Sequence, residues 1–410
     1  SDIFIIAFKL PNLFRRITAE GALTSAFLPI YSKLKEHKGD VFAFVYFKNI
    51  LYQVSISLFV LMTILQIIMP FLIYFLAPGF ADNKEVTSQI ITLTRITIIF
   101  MPLISVASLL GVATNVSGRF WILAFTPIIL NTFIIISCFF INDYWIIKSL
   151  PLAIATVLAG FTQVVFIAIM IIKYDIFKYQ DFFKNAHQKK NNNYIKVKII
   201  ETWRKFIPAA FGGGILQINL LVDTILASLL GFGSISYLYF ADRIAQLPLG
   251  IIGIALGTTL LVSLSKSNAN RDTNQFSKEL IISLRIGLFF SIPSALVFIN
   301  FSDLLIKVLF ERGEFSFQET IQTSHALLAY AFGVPAFVLL KSCQPAFFAE
   351  GNTKTPMYIG FVLLFLNIIL SFGLMIYLRH AGIALATSIV AWIGTIIYII
   401  LLIKKGKITK

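Results

Sequence analysis

The chain has 410 residues, of which 58% are hydrophobic and only 13% are charged. A soluble chain of this length would carry far more surface charge, so the composition excludes an ordinary soluble globular protein. The net charge of +15 does not indicate a nucleic-acid partner, because the basic residues cluster in short loops between apolar runs. The two cysteines lie in apolar runs and the four histidines are scattered, so no disulfide framework or metal site is indicated.

Apolar runs of about the 20 residues that a membrane-spanning helix needs recur along nearly the whole chain. Backbone groups find no water partner in lipid, and these runs are too long and too continuous for barrel strands. The sequence therefore predicts helices. We expect eleven spans, in chain order: residues 2–32, 47–77, 86–115, 119–141, 149–173, 206–230, 233–264, 278–300, 322–349, 356–378 and 381–403.

Charge divides the chain into parts. We expect an N-terminal helical half (1–173), a basic linker that forms a solvated loop (174–205), a C-terminal helical half (206–403) and a basic tail (404–410). Lys and Arg are concentrated in the loops after the odd-numbered spans, so the positive-inside rule places the linker and the tail in the cytoplasm. The first span then runs from outside to inside.

The first and seventh spans are unusual because charged residues and prolines interrupt them. These two spans coincide when the chain is shifted by 233 residues, and the same shift places Pro102 on Pro335 and Gly118 on Gly351. An even number of spans separates the equivalents, which indicates a parallel repeat. Interrupted, charged spans at corresponding positions of two halves predict a substrate site at the interface between the halves.

The first span carries a polar stripe. Asp2, Lys9 and Arg16 are seven residues apart, with Glu20 on the same helical face. A charge inside the bilayer costs at least about 2.5–3.5 kcal/mol on insertion scales, so this stripe is expected to face protein or water. For Arg15 and Arg16 the alternative is that they reach the cytoplasmic headgroups, which fits Lys9 poorly because it lies early in the span.

In the seventh span, Asp242 and Arg243 either form an internal ion pair or face the same cavity. A cavity that combines Lys9, Arg15, Arg16 and Arg243 would suit a diphosphate headgroup, since arginine presents a planar fork that matches phosphate oxygens.

A second polar group lies in the C-terminal half. Asp223 is the only carboxylate of the sixth span, and Asn367, Ser371 and Thr387 offer oxygen ligands on the last two spans. Together they are candidates for a Na⁺ site, or Asp223 for a proton carrier. The alternative is that Asp223 serves as a hydrogen-bonding contact between helices.

Two motifs are typical of one known family. The first runs from Phe8 to Arg16 and continues in Ala19–Ala22 and Ala26–Pro29. The second is Tyr239–Arg243 with Pro248, followed by Gly253–Thr258. They resemble the second and the eighth helix of the MurJ/MviN flippases of the multidrug/oligosaccharidyl-lipid/polysaccharide exporter superfamily.

The resemblance implies a MATE-like all-α fold with two pseudo-symmetric six-helix halves around a central cavity, and with the first helix and the last two helices missing from this chain. It implies a flippase that moves lipid II, the undecaprenyl-diphosphate-linked peptidoglycan precursor, across the bacterial inner membrane by alternating access. It places Arg15 and Arg243 at cavity arginines and Asp2 at a functionally important aspartate. It also implies a cation site on the helices of Asp223 in some members, where Ser371 replaces a stronger ligand.

Lipid II and membrane lipids are thus the expected partners, with no cofactor beyond Na⁺ or H⁺ as a coupling ion. Two alternatives stay open at this point: an exporter of another polyprenyl-linked glycan, and a MATE-type multidrug or cation antiporter. A cationic cavity disfavours cationic drugs. A membrane glycosyltransferase would need an acidic loop cluster, and Glu311, Glu314 and Glu319 lie too loosely among basic residues, so we do not expect an enzyme.

Overall fold

The computed structural model describes residues 1–16, 23–141, 144–177 and 192–407, without the side chains of 24–25, 192–193 and 208–216. Within these ranges every regular element is a helix, which confirms the expected all-α fold. The chain forms two compact units. Ser1 and Ile3–Gln217 make up the first unit, and Asp2 and Ile218–Lys410 make up the second.

The first unit is built from helices that follow the predicted apolar runs. They are α1 (Asp2–Phe14), α2 (Leu23–Lys38), α3 (Asp40–Leu76), α4 (Lys84–Thr97), α5 (Phe100–Val116), α6 (Phe120–Ala124), α7 (Thr126–Cys138), α8 (Leu150–Lys173) and the first part of α9 (Asn192–Ser228). Helix α8 packs against α4, α5 and α7.

The second unit contains the end of α9 and six further helices. They are α10 (Ser234–Pro248), α11 (Ile254–Ala269), α12 (Thr273–Phe310), α13 (Phe317–Ala331), α14 (Val334–Ala349) and α15 (Lys354–Lys404). A π-helical turn, Leu249–Gly253, joins α10 to α11 just after Pro248. Helix α14 packs against α11, α12 and α15, and Phe276, Phe347 and Tyr398 form part of the core there.

Seven helical stretches of the described ranges are long and apolar enough to cross a membrane, and the bent pair α13–α14 makes an eighth. Their outward surfaces are apolar: on α3, Phe71 is 78% exposed and Ile67 is 73% exposed. Large apolar side chains on the outside are stable only against lipid tails, so the chain is a multi-pass membrane protein. The division into two pseudo-symmetric six-helix halves stays a prediction.

Helix α15 contains the last two predicted spans. Its backbone leaves the helical region at Arg379 (φ 51°, ψ −135°), between those two spans. A Cβ at Gly382 would lie 2.4 Å from the carbonyl oxygen of Leu374, so the turn needs glycine there.

The predicted loop over the basic linker is wrong from Asn192 onward, because α9 begins there. Glu201 pairs with Lys198 (2.8 Å) and with Lys205 (2.7 Å), at spacings of three and four residues that join neighbouring turns of a helix. Trp203 donates from Nε1 to Gln53 Oε1 of α3 at 2.8 Å. These contacts support a helix in a segment whose basic charge indicated a solvated loop.

Candidate functional site

Helix α1 is anchored inside the first unit by apolar packing. Ala7 forms one fully buried apolar cluster with Leu93 of α4 and Ala153 of α8. The hydroxyl of Thr97 donates to the carbonyl oxygen of Ala7 at 2.7 Å. The helix that carries the predicted basic stripe is therefore fixed within the bundle along its first half.

The basic residues lie in the second half of α1 and directly after its last residue, Phe14. Lys9, Arg15 and Arg16 are all half-buried, and Arg15 donates from Nε to Oδ1 of Asn12 at 3.0 Å. Pro11 lies inside the helix, where it supplies no backbone donor. Three cations within eight residues make this end of α1 attractive to a polyanion. Glu20, also predicted at the site, lies outside the described residues.

Asp2 has a different environment, and it groups with the second unit. Its side chain is buried, and its two oxygens accept from the backbone N–H of Gly233 at 2.6 Å and of Ser236 at 2.9 Å. The hydroxyl of Ser236 also donates to it. Asp2 thus satisfies donors at the start of α10, where a negative charge also complements the helix dipole. Its predicted contact with substrate stays a prediction.

The guanidinium of Arg243 is exposed and held by its own helix. It lies 4.7 Å from the ring centroid of Tyr239, and Nη2 donates to the Tyr239 hydroxyl at 3.1 Å. The neighbouring Asp242 is half-buried and accepts a hydrogen bond from Gln246, one turn later. The remaining guanidinium donors of Arg243 can still bind an anion.

Three of the four predicted cation ligands meet across the turn of α15. Asn367 donates from Nδ2 to Thr387 Oγ1 at 3.2 Å, and Ser371 donates to Asn367 Oδ1 at 3.4 Å. Asn367 and Ser371 are fully buried, while Thr387 is half-buried. The sequence alone could not show that the two segments of α15 face each other here.

The fourth predicted ligand, Asp223 of α9, is also buried. Ser388, the residue after Thr387, donates to the carbonyl oxygen of Ala329 of α13 at 2.7 Å, so this segment of α15 is hydrogen-bonded to α13. Direct coordination of one ion by all four residues stays a prediction.

The sequence profile described as "Lipid II flippase MurJ" matches residues 1–410. The chain belongs to the lipid II flippase MurJ family. A probable lipid II flippase MurJ of Rickettsia prowazekii is 38% identical over 399 residues, which cover 95% of this chain and 75% of that relative. A probable MurJ of Buchnera aphidicola subsp. Schizaphis graminum is 32% identical, over 99% of this chain and 77% of its own length.

Solved structures agree with the MurJ assignment. A lipid II flippase MurJ in an inward closed conformation matches with a TM-score of 0.78 and 29% identity, over 98% of this chain and 81% of that one. An inward-facing MATE family transporter of the MOP superfamily matches with a TM-score of 0.77, over 100% of this chain and 93% of that one. Its sequence identity is only 12%, so it shares the fold alone.

Two contacts of the site were missed from the sequence. The Tyr239–Arg243 contact has a detectable signal, because an aromatic residue four positions before an arginine lies on the same helical face. The contact of Asp2 with Gly233 has none, since 231 residues separate the two.

Proposed function

We propose that this protein moves lipid II across the bacterial inner membrane, and that Lys9, Arg15, Arg16 and Arg243 hold its diphosphate. The observation that carries the proposal is the exposed, oriented guanidinium of Arg243 on a membrane-spanning helix, in a chain that belongs to the MurJ family. Arginine binds phosphate oxygens through paired donors, and the tyrosine ring beneath Arg243 keeps that fork in one orientation.

Transport of this kind needs no covalent chemistry. The two halves would alternate access to the headgroup, first from the cytoplasmic side and then from the outer side, while the apolar tail stays in lipid. The linker and the basic tail would lie in the cytoplasm.

The polar group on α15, together with Asp223, is our candidate for coupling the cycle to Na⁺ or H⁺. Buried oxygen atoms are ligands that a hard cation accepts, and a buried carboxylate inside a membrane span is commonly part of an ion or proton pathway. A cation bound there would neutralise the charge of Asp223. It would therefore stabilise the conformation that binds the cation relative to the other conformation of the cycle.

Export of another polyprenyl-linked glycan is the second candidate function, because the diphosphate chemistry of the headgroup would be the same. A MATE-type cation antiporter is disfavoured by the basic residues of α1 and α10, which would repel a cationic substrate. The likeness to MATE transporters at 12% identity supports only the fold.

Depletion of the protein in its host, followed by analysis of lipid-linked precursors, tests the proposal. Lipid II is expected to accumulate on the cytoplasmic face while the supply of peptidoglycan falls. Accumulation of a different polyprenyl-linked glycan, with lipid II unchanged, would favour the second candidate function and contradict ours.

A further inference from the structure

Lys341 is a further cation of the second unit, and it lies within a membrane-spanning segment. It lies near the middle of α14, between Leu340 and Ser342, in the bent helix pair that is apolar enough to cross the membrane. A lysine at this depth is costly against lipid tails, so its ammonium group is expected to face protein or water.

The stem of Lys341 packs on the helix break between α10 and α11. A Cβ added at Gly253, the last residue of the π-helical turn, would lie 3.5 Å from Cγ of Lys341. A Cβ at Gly257 would lie 2.9 Å from the Lys341 carbonyl oxygen, so glycine is required for this close approach. The two glycines bring α11 against α14 and fix where the lysine side chain begins.

The ammonium group has no partner in the part of the chain that the structure describes: no hydrogen bond or ion pair reaches it. The side chain is nevertheless half-buried. A half-buried ammonium without a partner destabilises the fold, because it gives up hydration without gaining a hydrogen bond in return. Such a group is expected to bind an anion that the polypeptide itself does not supply.

We propose that Lys341 is a second binding point for the diphosphate in the C-terminal half, at a different depth from Arg243. This inference rests on the proposed function. Arg243 precedes Gly253 by ten residues, which is roughly 15 Å along a helix. A headgroup that crosses about 30 Å of hydrocarbon needs anion partners at more than one depth. Arg243 and Lys341 would hold the diphosphate at successive stages of the same passage.

The test compares Lys341→Met, which keeps the length of the stem and removes the charge, with Lys354→Met as a matched control. Lys354 is exposed at the start of α15 and undergoes the same chemical change. Binding of undecaprenyl diphosphate to the purified native protein in detergent is measured beside its thermal unfolding, with undecaprenol as the uncharged lipid. Lys341→Met is expected to bind undecaprenyl diphosphate about ten- to a hundredfold more weakly, the loss expected for one charged hydrogen bond.

The thermal midpoint separates binding from structure. Because an unpaired charge is replaced by an apolar group, Lys341→Met is expected to unfold at the same or a higher temperature, and Lys354→Met is expected to change neither property. Wild-type protein that binds both lipids equally would contradict the proposed function itself. If the wild type prefers undecaprenyl diphosphate to undecaprenol and Lys341→Met keeps the same preference, only the role of Lys341 is contradicted.

A second pair of variants keeps the test decisive if Lys341→Met does not fold. Lys341→Arg retains the charge and is expected to bind close to wild type, whereas Lys341→Gln is expected to lose affinity as Lys341→Met does. Equal binding by the Arg and Gln variants would overturn the proposal, because the charge would then be irrelevant to the diphosphate.

Discussion

The guanidinium of Arg243 and the ring of Tyr239 form one unit on α10: the cation lies 4.7 Å from the ring centroid and donates to the hydroxyl at 3.1 Å. One turn of helix separates the two residues, so the backbone itself sets their geometry. The ring restricts the guanidinium to few orientations, which lowers the entropy that is lost when an anion binds.

Arg243→Lys is therefore expected to impair transport although it keeps the charge, because lysine loses the planar fork. Arg243→Ala is expected to weaken lipid II binding further, by about 1.5–3 kcal/mol for a lost charge-assisted hydrogen bond. Growth complementation and lipid II binding at matched expression measure both effects, and Arg15→Lys provides the parallel change on α1. Full complementation and normal binding by both lysine variants would rule out bidentate binding of phosphate.

Asp2→Ala is expected to lower the thermal stability, because the backbone donors at the start of α10 lose their acceptor. Removal of a helix N-cap costs about 0.5–2 kcal/mol. Asp303→Ala is the matched control, since Asp303 is exposed on α12. The measurement is the unfolding midpoint in detergent beside lipid II binding. An unchanged midpoint with lost binding would instead assign Asp2 to substrate contact.

Much of the fold could be predicted from the sequence, because a membrane span is a local property: about 20 apolar residues in a row are enough. The site is harder to predict from the sequence, because its contacts join residues that are distant in the chain, as Asp2 and Ser236 are. The predicted loop over the basic linker was wrong for another reason. Charge density indicated a loop, whereas the pairing of Lys198 and Lys205 with Glu201 stabilises a helix.

The linker helix provides a pH prediction. Hydrogen bonds from Lys198 and Lys205 lower the pKa of Glu201 from 4.5 to about 2. A carboxyl whose pKa is lowered on folding stabilises the helix above pH 4.5, and this contribution disappears as the pH falls from 4.5 to about 2. The contribution is small because Glu201 is only half-buried, so solvent screens the pairs.

Hydrogen exchange of residues 194–207, corrected for intrinsic rates, checks this prediction. Wild-type protection at pH 5 is expected to exceed that of Glu201→Gln, and the difference is expected to narrow toward pH 2. Identical protection in the two proteins at pH 5 would mean that the ion pairs do not hold the helix.

The predicted topology can be tested by cysteine labelling. Cys138 is exposed and is first replaced by alanine, whereas Cys343 is buried and is kept. In this Cys138→Ala background a cysteine is placed at Asp82 in one variant and at Asn192 in another. In intact spheroplasts an impermeant thiol reagent is expected to label Asp82→Cys and to spare Asn192→Cys until the cells are permeabilised. Labelling of Asn192→Cys from outside would reverse the orientation of the spans.

The polar group on α15 leads to the last prediction. If Asp223 binds Na⁺ or a proton together with Asn367 and Thr387, Asp223→Asn should slow transport and remove its dependence on the ion gradient, while the protein stays folded and abundant. One elementary charge that moves through 100 mV contributes about 2.3 kcal/mol, enough to shift an equilibrium between two conformations by more than tenfold. The measurement is transport in proteoliposomes with imposed Na⁺ or pH gradients, and Asp303→Asn controls for the loss of a surface carboxylate. Wild-type rates and unchanged ion dependence in Asp223→Asn would leave Asp223 only a packing role, as a hydrogen-bonding partner of the neighbouring helices.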